Sequence, residues 1–594
     1  MTTKEKLIAL RTKMKERGLQ AYIIFSSDPH GSEYVSDHWR CRSWISGFTG
    51  SAGTVVVTLQ DAGLWTDFRY FIQATEELKD SGIKLFKMGE PGVPPFIDWL
   101  ADSLEDESVV GMDGRTLTLK DWEAMAVPFT PRQIRIDGQD DLIGELWLDR
   151  PSEALEPVWL LSDEEAGVKS RDKISDIRRI MTQGHVDATI ISSLDDIAWI
   201  LNMRGGDVPY NPVIQSFLYI SLKELIWFVD DRKLDESIHT ALQSLGVQWL
   251  PYGEVEQRMS MLESDITLYV SPERSSSALI SALPEGIKVV KGIDFSTRLK
   301  AEKNQGEQKR IRKVMEKDGV ALVRFIIWLR RRLEEGVLSE LEAAKALKGF
   351  RSEQDGFLGE SFSPIPAYKA HGAICHYEAK EQNQFFLEKD SLFLIDSGGQ
   401  YKEGTTDITR TLALGAPTER EILDYTLVLK GHIALSQAVF PAGTRGYQLD
   451  ILARMALWNA GLNYGHGTGH GVGYILNVHE GPQKISPHPI DETLRPGMVC
   501  SNEPGIYREG QHGIRIENLI LVQPWTECPE NETFYRFETL SLCPYERSLI
   551  DSSLLTRDEI GWVNNYQEEV FRRLSPLLGE KAKIWLREET LEIT

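Results

Sequence analysis

The chain has 594 residues, which is too long for one hydrophobic core, so two to four domains are expected. Hydrophobic residues make up 41% and charged residues 26%, the composition of an ordinary soluble globular protein. The 89 acidic residues against 66 basic ones give a net charge of −23, which disfavours nucleic acid as a partner because phosphate backbones attract basic surfaces.

The cysteines and the N-terminus indicate the compartment. Five cysteines are scattered along the chain: Cys41, Cys375, Cys500, Cys528 and Cys543. They are odd in number and form no CxxC pair, so neither a disulfide framework nor a thiolate zinc site is predicted. The N-terminal stretch has the pattern of an amphipathic helix without the apolar core of a signal peptide, and no run of 18 apolar residues occurs. We therefore expect a cytoplasmic protein with no membrane partner.

The first segment, residues 1–155, is predicted to be an α/β domain. Its opening helix ends at Gly18 and places three apolar residues on one face: Leu7, Leu10 and Met14. Residues 21–25 follow as a short apolar strand, and residues 47–58 and 62–71 are predicted as glycine-punctuated strands. A helix-and-strand pattern of this length is typical of an α/β domain.

The second segment, residues 156–298, is predicted to be a copy of the first. Pro151, Pro157 and the polar residues 162–167 predict a linker, after which the opening pattern returns at a shift of 167 positions. The matching pairs are Leu10 and Ile177, Arg11 and Arg178, Met14 and Met181, Ala21 and Ala188, Ile23 and Ile190, Ile24 and Ile191, Ser26 and Ser193, and Asp28 and Asp195. Any two helix–strand units share apolar positions, but the coincident Arg, Ser and Asp favour a duplicated domain that ends near Asp294.

The third segment, residues 299–594, is predicted to begin with a long amphipathic helix after the charged residues 300–313. Its apolar face holds Ile311, Met315, Leu322, Ile326 and Leu329. The tail from Trp562 to Ile584 is also predicted to be helical, with apolar residues about one turn apart: Trp562, Tyr566, Val570 and Leu574. This face has no evident partner within the chain, so it predicts contact with a second copy, although packing on its own domain is the alternative.

Two acids of the third segment lie on neighbouring predicted strands. Residues 392–395 form an apolar run that ends on Asp396, and residues 406–412 are again strand-like after a glycine-rich connection. Alternation along the second strand places Asp407 on the same face as Thr409. Either acid alone would be ordinary beside a turn, so a function depends on what else the chain supplies.

A glycine-rich stretch, residues 464–474, supplies histidines. Five alternating glycines disfavour a helix and predict a close-packed loop that carries His466 and His470. The GxGxxG fingerprint is not met in any register, which excludes a dinucleotide site here. His479 follows His470 by nine residues. Two histidines in one glycine loop favour a ligand site over a purely structural role.

Two further acids follow. Glu503 comes at the end of a short apolar strand, just before Pro504. Residues 512–522 are predicted as one strand in which alternation places Arg515 and Glu517 on the face opposite Ile514. Glu517 would be costly in an apolar strand without a partner, and the alternative is a surface position paired with Arg515.

Four carboxylates and one imidazole therefore recur in the third segment: Asp396, Asp407, His470, Glu503 and Glu517. Four negative charges match two divalent cations, and ligation mainly by oxygen favours manganese, with iron, cobalt or zinc as alternatives. The HExxH motif of one-zinc proteases is absent, because His479 and Glu480 are followed by Gly481, Pro482 and Gln483.

The order Asp, Asp, His, Glu, Glu, together with DSGGQYKEGTTDITRT, HGTGHGVG, NVHEGP, NEPG and GIRIEN, resembles the pita-bread metallopeptidases, most closely the three-domain cytosolic Xaa-Pro aminopeptidases. The resemblance extends to residues 47–53 and 193–212. It implies two creatinase-like α/β domains followed by an α+β pita-bread catalytic domain, with boundaries at 1–155, 156–298 and 299–594. It also implies a homodimer with a dimanganese centre, whose bridging hydroxide helps release the N-terminal residue of peptides with proline in second position.

The same resemblance implies individual roles. The metal ligands would be Asp396, Asp407, His470, Glu503 and Glu517, and Glu503 would also act as the base. His376 and His479 would bind substrate and stabilise the tetrahedral intermediate, and His466 would line the pocket around the scissile bond. Arg515 would orient Glu517.

Three other classes share the fold. Prolidase, a dipeptidase, has the same five ligands, but the two large N-terminal domains and the HGTGHGVG loop favour the aminopeptidase. Creatinase lacks the full carboxylate set. Some histone-chaperone subunits use a metal-free pita-bread domain only to bind protein, whereas this chain keeps every ligand.

Overall fold

The computed structural model describes residues 1–527 and 532–594. They form two compact units: Met1–Ser162 with Val168–Arg298, and Asp163–Gly167 with Leu299–Thr594. Four cysteines are buried free thiols: Cys41, Cys375, Cys500 and Cys543. Cys528, which the sequence analysis grouped with them, lies outside the described residues.

The α-helices of the described residues are α1 (Thr3–Glu16), α2 (Cys41–Ser46), α3 (Phe71–Glu77), α4 (Phe96–Ser103), α5 (Leu119–Phe129), α6 (Leu142–Leu146), α7 (Asp163–Ala166), α8 (Ser170–Gln183), α9 (Leu194–Leu201), α10 (Glu236–Leu245), α11 (Val255–Met259), α12 (Ser277–Ser281), α13 (Phe295–Ala301), α14 (Gln305–Glu335), α15 (Glu340–Ser352), α16 (Glu419–Ser436), α17 (Gly446–Asn459), α18 (Arg557–Leu574) and α19 (Glu580–Glu589).

The strands of the first unit are β1 (Ala21–Ile24), β2 (Thr54–Thr58), β3 (Ala62–Thr66), β4 (Lys84–Lys87), β5 (Val109–Gly111), β6 (Arg135–Asp137), β7 (Trp159–Leu160), β8 (Ala188–Ile191), β9 (Met203–Arg204), β10 (Phe217–Ser221), β11 (Leu225–Phe228), β12 (Gln248–Leu250), β13 (Thr267–Val270) and β14 (Lys288–Lys291).

The strands of the second unit are β15 (Leu338–Ser339), β16 (Phe357–Glu360), β17 (Ile365–Tyr368), β18 (Phe386–Leu387), β19 (Leu392–Ser397), β20 (Gly399–Tyr401), β21 (Gly404–Thr405), β22 (Ile408–Ala413), β23 (Val439–Pro441), β24 (Gly469–His470), β25 (Lys484–Ile485), β26 (Val499–Asn502), β27 (Gly505–Arg508), β28 (His512–Arg515), β29 (Asn518–Trp525) and β30 (Phe534–Thr539).

The first unit contains two sheets of the same topology, which confirms the predicted duplication. One has the strand order β4-β3-β2-β1-β5-β6 and the other β12-β11-β10-β8-β13-β14. In each, the central strand is antiparallel to its neighbour on one side and parallel to its neighbour on the other. The central strands begin at Ala21 and Ala188, the residues paired by the shift of 167 positions.

Two strand predictions in the first unit were wrong at their ends. β3 stops at Thr66 because the Asp67 side chain accepts the N–H of Arg69 and starts a 3-10 turn at Phe68. β2 begins only at Thr54, since the preceding residues close α2 at Gly47 in the left-handed region, with φ 79°. The predicted opening helix is confirmed, with Leu7, Leu10 and Met14 buried.

The predicted linker over residues 162–167 is partly regular. Residues 163–166 form α7, which belongs to the second unit, and Asn304 Nδ2 donates to the carbonyl of Ala166 (3.2 Å). Asn304 also caps the N-terminus of α14 by accepting the N–H of Glu307.

The core of the second unit has two halves, and the long helix α14 packs on the sheet of the first half. Its predicted apolar face is confirmed, because Ile311, Met315, Leu322, Ile326 and Leu329 are all buried. Four buried residues of this helix pack against Phe393 and Ile395 of β19 and Leu412 of β22. They are Leu322, Phe325, Ile326 and Leu329. These two strands form an antiparallel sheet with β17. The helix therefore supports the strands that carry Asp396 and follow Asp407.

A second antiparallel sheet, β23-β30-β29-β26, forms the other half. Leu435 of α16 and Ala453 of α17 pack against Cys500 of β26 and Ile520 of β29. Each half thus holds buried helices on one face of a sheet, the α+β arrangement expected for this segment.

The C-terminal tail differs from its prediction. It is two helices, α18 and α19, because Pro576 lies in a 3-10 turn between them. Its apolar face has an internal partner, since Val563, Tyr566, Val570 and Leu574 are buried. The Tyr566 hydroxyl accepts from Arg410 (2.9 Å) and also lies 3.0 Å from the Cys543 carbonyl. The tail therefore gives no support to contact with a second copy.

No helix among the described residues is long and apolar enough to cross a membrane.

Tyr566→Phe should lower the unfolding free energy of the second unit by about 1–3 kcal/mol, because it leaves buried groups without their hydroxyl partner. The shift in urea midpoint of the metal-free protein measures this. Tyr535→Phe is the matched control, since Tyr535 is only partly buried and its ring contacts Phe440 (ring centroids 6.2 Å apart). Equal midpoints for both variants would contradict the role assigned to Tyr566.

Candidate metal centre

The two aspartates come from neighbouring strands that the β-sheet holds in register. Asp396 lies in β19 opposite Thr409 of β22, and Asp407 directly precedes β22. Both carboxylates are buried. The strand predicted before Asp396 is confirmed, whereas the second strand begins at Ile408 and not at Thr406, so Asp407 directly precedes it.

The glutamates lie where strands end. Glu503 directly follows β26, and its N–H donates to the Thr468 carbonyl (2.8 Å). Glu517 lies between β28 and β29, so the single strand predicted over residues 512–522 was wrong at this point. Glu517 is 1% exposed and accepts from Thr409 Oγ1 (2.8 Å), which excludes the surface alternative.

His470 directs one ring nitrogen at these carboxylates. Its Nδ1 lies 2.9 Å from the Gly471 carbonyl, and because a carbonyl only accepts, Nδ1 carries the proton. The other ring nitrogen, Nε2, lies 3.4 Å from Asp407 Oδ2 and 3.6 Å from Glu503 Oε1, where it can bind a cation when it carries no proton. Ligand atoms of Asp407, His470 and Glu517 all lie within 4.8 Å of one another.

The carboxylates are too crowded and too buried to be ionised together without compensation. Burial is the largest cause that raises the pKa of Asp407 and Glu517 well above their usual range, and the neighbouring acids add to it. Burial also raises the pKa of Glu503 to about 7. A cluster of this kind needs positive charge to be stable in its ionised form.

These residues fit divalent cations. The Oδ1 atom of Asp396 is buried without a hydrogen-bond donor in the part of the chain that the structure describes. An unsatisfied buried carboxylate oxygen beside an imidazole nitrogen and three further carboxylates is a donor set for hard to borderline divalent ions.

A chain of hydrogen bonds links Asp396 to the glycine loop. Arg515 donates to Asp396 Oδ2 (2.6 Å) and to the Tyr507 hydroxyl (2.8 Å), which lies 2.7 Å from His466 Nε2. Arg515 therefore contacts Asp396 and not, as predicted, Glu517. The reason is the break before β29, which ends the strand alternation that would have paired them.

The remaining predicted residues lie beside this network. The rings of His470 and His479 are 4.3 Å apart and nearly perpendicular. Glu480, the next residue, is buried between Lys300 Nζ (3.3 Å) and Lys303 Nζ (3.2 Å). His376 follows Cys375, whose carbonyl lies 3.5 Å from Arg515 Nη2.

Sequence reasoning assigned no role to Thr409, Tyr507, Lys300 and Lys303. Thr409 carried a signal, because strand alternation placed it beside Asp407. The lysines opened a charged run typical of a solvated surface, and only the structure shows them 2% and 3% exposed. Tyr507 carried no sequence signal.

The comparisons with known proteins match these domains. The model of metallopeptidase family M24 matches residues 309–524, and the C-terminal region of that family matches 533–593. Creatinase/prolidase N-terminal domains match residues 6–134 and 149–307. A probable Xaa-Pro aminopeptidase P of Laccaria bicolor is 39% identical and covers 99% of this chain and 93% of its own length.

The chain belongs to the Xaa-Pro aminopeptidases of metallopeptidase family M24.

Solved structures agree with this family. The X-prolyl aminopeptidase of Caenorhabditis elegans, described as a cytosolic enzyme with a di-nuclear active site, is 37% identical, with a TM-score of 0.97 and complete coverage of both chains. The prolidase of Pyrococcus horikoshii is 24% identical, covers 63% of this chain and 99% of its own, and has a TM-score of 0.50, which shows a shared fold alone. The predicted fold, two creatinase-like domains before a pita-bread domain, is confirmed.

Thr409→Val should weaken binding of Mn²⁺ about 10- to 100-fold, because the Glu517 carboxylate loses the hydroxyl that orients it. Calorimetric titration of the metal-free protein measures the dissociation constant. Thr426→Val is the control, since it also removes a buried threonine hydroxyl, but one that bonds no acid of the site. The Thr426 hydroxyl donates to the carbonyls of Ile422, in α16, and Leu549, in a neighbouring 3-10 turn. Equal affinities in both variants would contradict the assigned contact.

Proposed function

We propose that this chain is a metal-dependent aminopeptidase that releases the N-terminal residue from peptides with proline in second position. The observation that carries the proposal is the group of Asp407, His470 and Glu517, whose carboxylates are buried, in a chain that matches an Xaa-Pro aminopeptidase over 99% of its length. The relative described as a cytosolic enzyme with a di-nuclear active site supports two divalent cations and a cytoplasmic location.

Five residues would hold the two cations: Asp396, Asp407, His470, Glu503 and Glu517. Mn²⁺ is the proposed ion, because four carboxylates and one imidazole make an oxygen-rich set. Two divalent cations at such a site supply Lewis acidity that activates water and polarises a carbonyl.

Glu503 is the proposed base. The resemblance to the Xaa-Pro aminopeptidases implies this role, and in the metal-free chain burial raises the pKa of this carboxyl to about 7. One oxygen of Glu503 accepts from Ser501 Oγ (3.2 Å), which orients the carboxylate. Glu503 would take the proton of the attacking water and deliver it to the leaving proline nitrogen.

His376 and His479 would bind substrate and donate N–H groups to the oxyanion that develops on the scissile carbonyl. His466 would line the pocket around the scissile bond. The Tyr507 hydroxyl supports that placement, because it fixes one ring nitrogen of His466 and is itself fixed by Arg515. Arg515 would thus contribute to substrate binding through this pocket.

Selectivity for proline requires a mechanism that does not use the N–H that proline lacks. The acids of the site would accept the positively charged N-terminal amine of the substrate, Asp396 in particular, so recognition would lie on the residue that is released. The imidazoles would flank the pyrrolidine ring.

We further propose a homodimer, on a surface different from the predicted tail. Four apolar side chains of α17 lie one turn apart and are 38–47% exposed: Tyr447, Ile451, Met455 and Trp458. A stripe of this kind on one helix is typical of a contact between subunits.

The division into domains at 1–155, 156–298 and 299–594 also remains a proposal. It is supported by family matches that begin and end near those positions.

We expect the manganese-loaded protein to cleave Arg-Pro-Pro at least about 100-fold faster than Arg-Ala-Ala, since a site built around one substrate rejects another by several kcal/mol. N-acetylation of Arg-Pro-Pro should abolish cleavage. Chromatography with mass detection identifies the products. Equal rates for the two free peptides would make the enzyme a general aminopeptidase.

His470→Ala, Asp407→Asn and Glu517→Gln should each abolish turnover and leave the far-ultraviolet circular dichroism unchanged, because each removes a proposed ligand from a preformed site. Gln384→Ala, at a partly exposed position, is the control. A variant that keeps a near-normal rate when saturated with Mn²⁺ would remove that residue from the ligand set.

Ile451→Glu should convert the dimer to a monomer, because it places a charge in the exposed stripe of α17. Light scattering at micromolar concentration measures the mass. Ile584→Glu is the matched control at a position that is 60% exposed on α19. A monomeric wild-type protein would contradict the dimer, and a dimeric Ile451→Glu variant would contradict the surface.

A further inference from the structure

A hairpin formed by β27 and β28 carries two residues of the site, Arg515 at its open end and Tyr507 toward its turn. Tyr507 and Arg515 lie on opposite strands of it and contact each other (2.8 Å). Arg515 reaches Asp396, and Tyr507 reaches His466. The placement of the hairpin therefore determines how Arg515 meets the Asp396 carboxylate.

The other end of the hairpin is held by one buried carboxylate. Arg508 and His512 pair across the hairpin, and both contact Asp424 of α16. Arg508 donates through Nε to Oδ2 (2.5 Å) and through Nη2 to Oδ1 (2.7 Å), and His512 Nε2 lies 2.9 Å from Oδ2. The Asp424 side chain is 0% exposed. A bidentate guanidinium pair of this kind is strongly directional.

The charge of Asp424 is retained despite its burial. Burial raises the pKa of Asp424, but the hydrogen bonds from Arg508 and His512 and the charge of Arg508 together bring it below its usual value. Asp424 thus stays ionised and bound to both strands of the hairpin.

The hairpin also packs against the segment that leads to His376. A Cβ atom on Gly513 would lie 1.6 Å from the Gly372 carbonyl oxygen, so the two backbones touch and only glycine fits. Gly372 lies in the 3-10 turn Lys369–Ala373. With Asp424 at one end and Gly372 on β28, the hairpin has little freedom to shift.

We propose that Asp424 is a positioning residue for the metal centre. Through Arg508 and His512 it fixes the hairpin, and through the hairpin it fixes Arg515 on Asp396 and Tyr507 on His466. Nothing in this role requires Asp424 to touch substrate or metal. The proposal rests on the proposed function only in taking Asp396 as a metal ligand.

The test compares Asp424→Asn with Glu559→Gln. Glu559 of α18 is the matched control, because its carboxylate also binds a basic residue and also holds α16. It accepts from Lys430 of α16 (2.6 Å) and does not contact the hairpin. Asp424→Asn should speed hydrogen–deuterium exchange of residues 505–515 in the metal-free protein about tenfold and weaken Mn²⁺ binding about 10- to 100-fold. Glu559→Gln should stay within about twofold of wild type in both measurements.

A double variant distinguishes positioning of Arg515 from a general effect of Asp424 on stability. If Asp424 acts through Arg515, adding Asp424→Asn to Arg515→Ala should change the Mn²⁺ dissociation constant less than about twofold further. If the two substitutions instead multiply their separate effects on the Mn²⁺ dissociation constant, the proposal is overturned. Wild-type Mn²⁺ affinity in Asp424→Asn would also overturn it, whether or not exchange of the hairpin is faster.

Should Asp424→Asn fail to fold, two substitutions of His512, its second hydrogen-bond partner, test the proposal in its place. His512→Gln keeps a donor toward Asp424 and should retain wild-type Mn²⁺ affinity, whereas His512→Leu removes the donor and should weaken it. Equal affinities in these two variants would overturn the proposal. All of these readouts are independent of turnover, so a wild-type protein that does not cleave Xaa-Pro peptides would refute the proposed function and leave this test intact.

Discussion

The second unit depends on four carboxylates that lie together where its two sheets meet, three of them buried and Glu503 partly exposed. Asp396, Asp407, Glu503 and Glu517 lie where strands end or break, and burial with mutual repulsion holds the pKa of Asp407, Glu503 and Glu517 above the usual range. Ionising such a group without a compensating charge is costly, so bound cations would lower the cost of keeping these carboxylates ionised. The two cations proposed for the site would therefore stabilise the folded chain as well as serve catalysis.

Two arginines hold the acids in place without neutralising all of them. Arg515 takes one oxygen of Asp396 and leaves the other without a donor among the described residues. Arg410, next to Thr409, donates to the Glu517 carbonyl and to Tyr566 of α18. The C-terminal helix is thus joined to the strand that supports Glu517. This contact explains why the tail is an internal element, although its sequence alone suggested an external surface.

Much of the fold could be predicted because it rests on local periodicity. The apolar face of α14, the strand before Asp396 and the duplicated strands at Ala21 and Ala188 all follow from spacing alone. The break at Glu517 was not predicted, since Ile514 and Ile516 alternate with Arg515 and Glu517 as in one strand. A tertiary contact from Thr409 holds Glu517 where the pairing stops. Tyr507 and Asp424 were missed for the same reason: their partners are distant in sequence, so only the folded chain brings them together.

Anomalous scattering from crystals grown with Mn²⁺ would locate the two proposed cations. Data collected at the manganese edge should show two peaks per chain, each bound by side chains from the set Asp396, Asp407, His470, Glu503 and Glu517, with Arg515 still on Asp396. No peak among these side chains, or a single peak at saturating Mn²⁺, would contradict the account, because the buried carboxylates would then be compensated in another way.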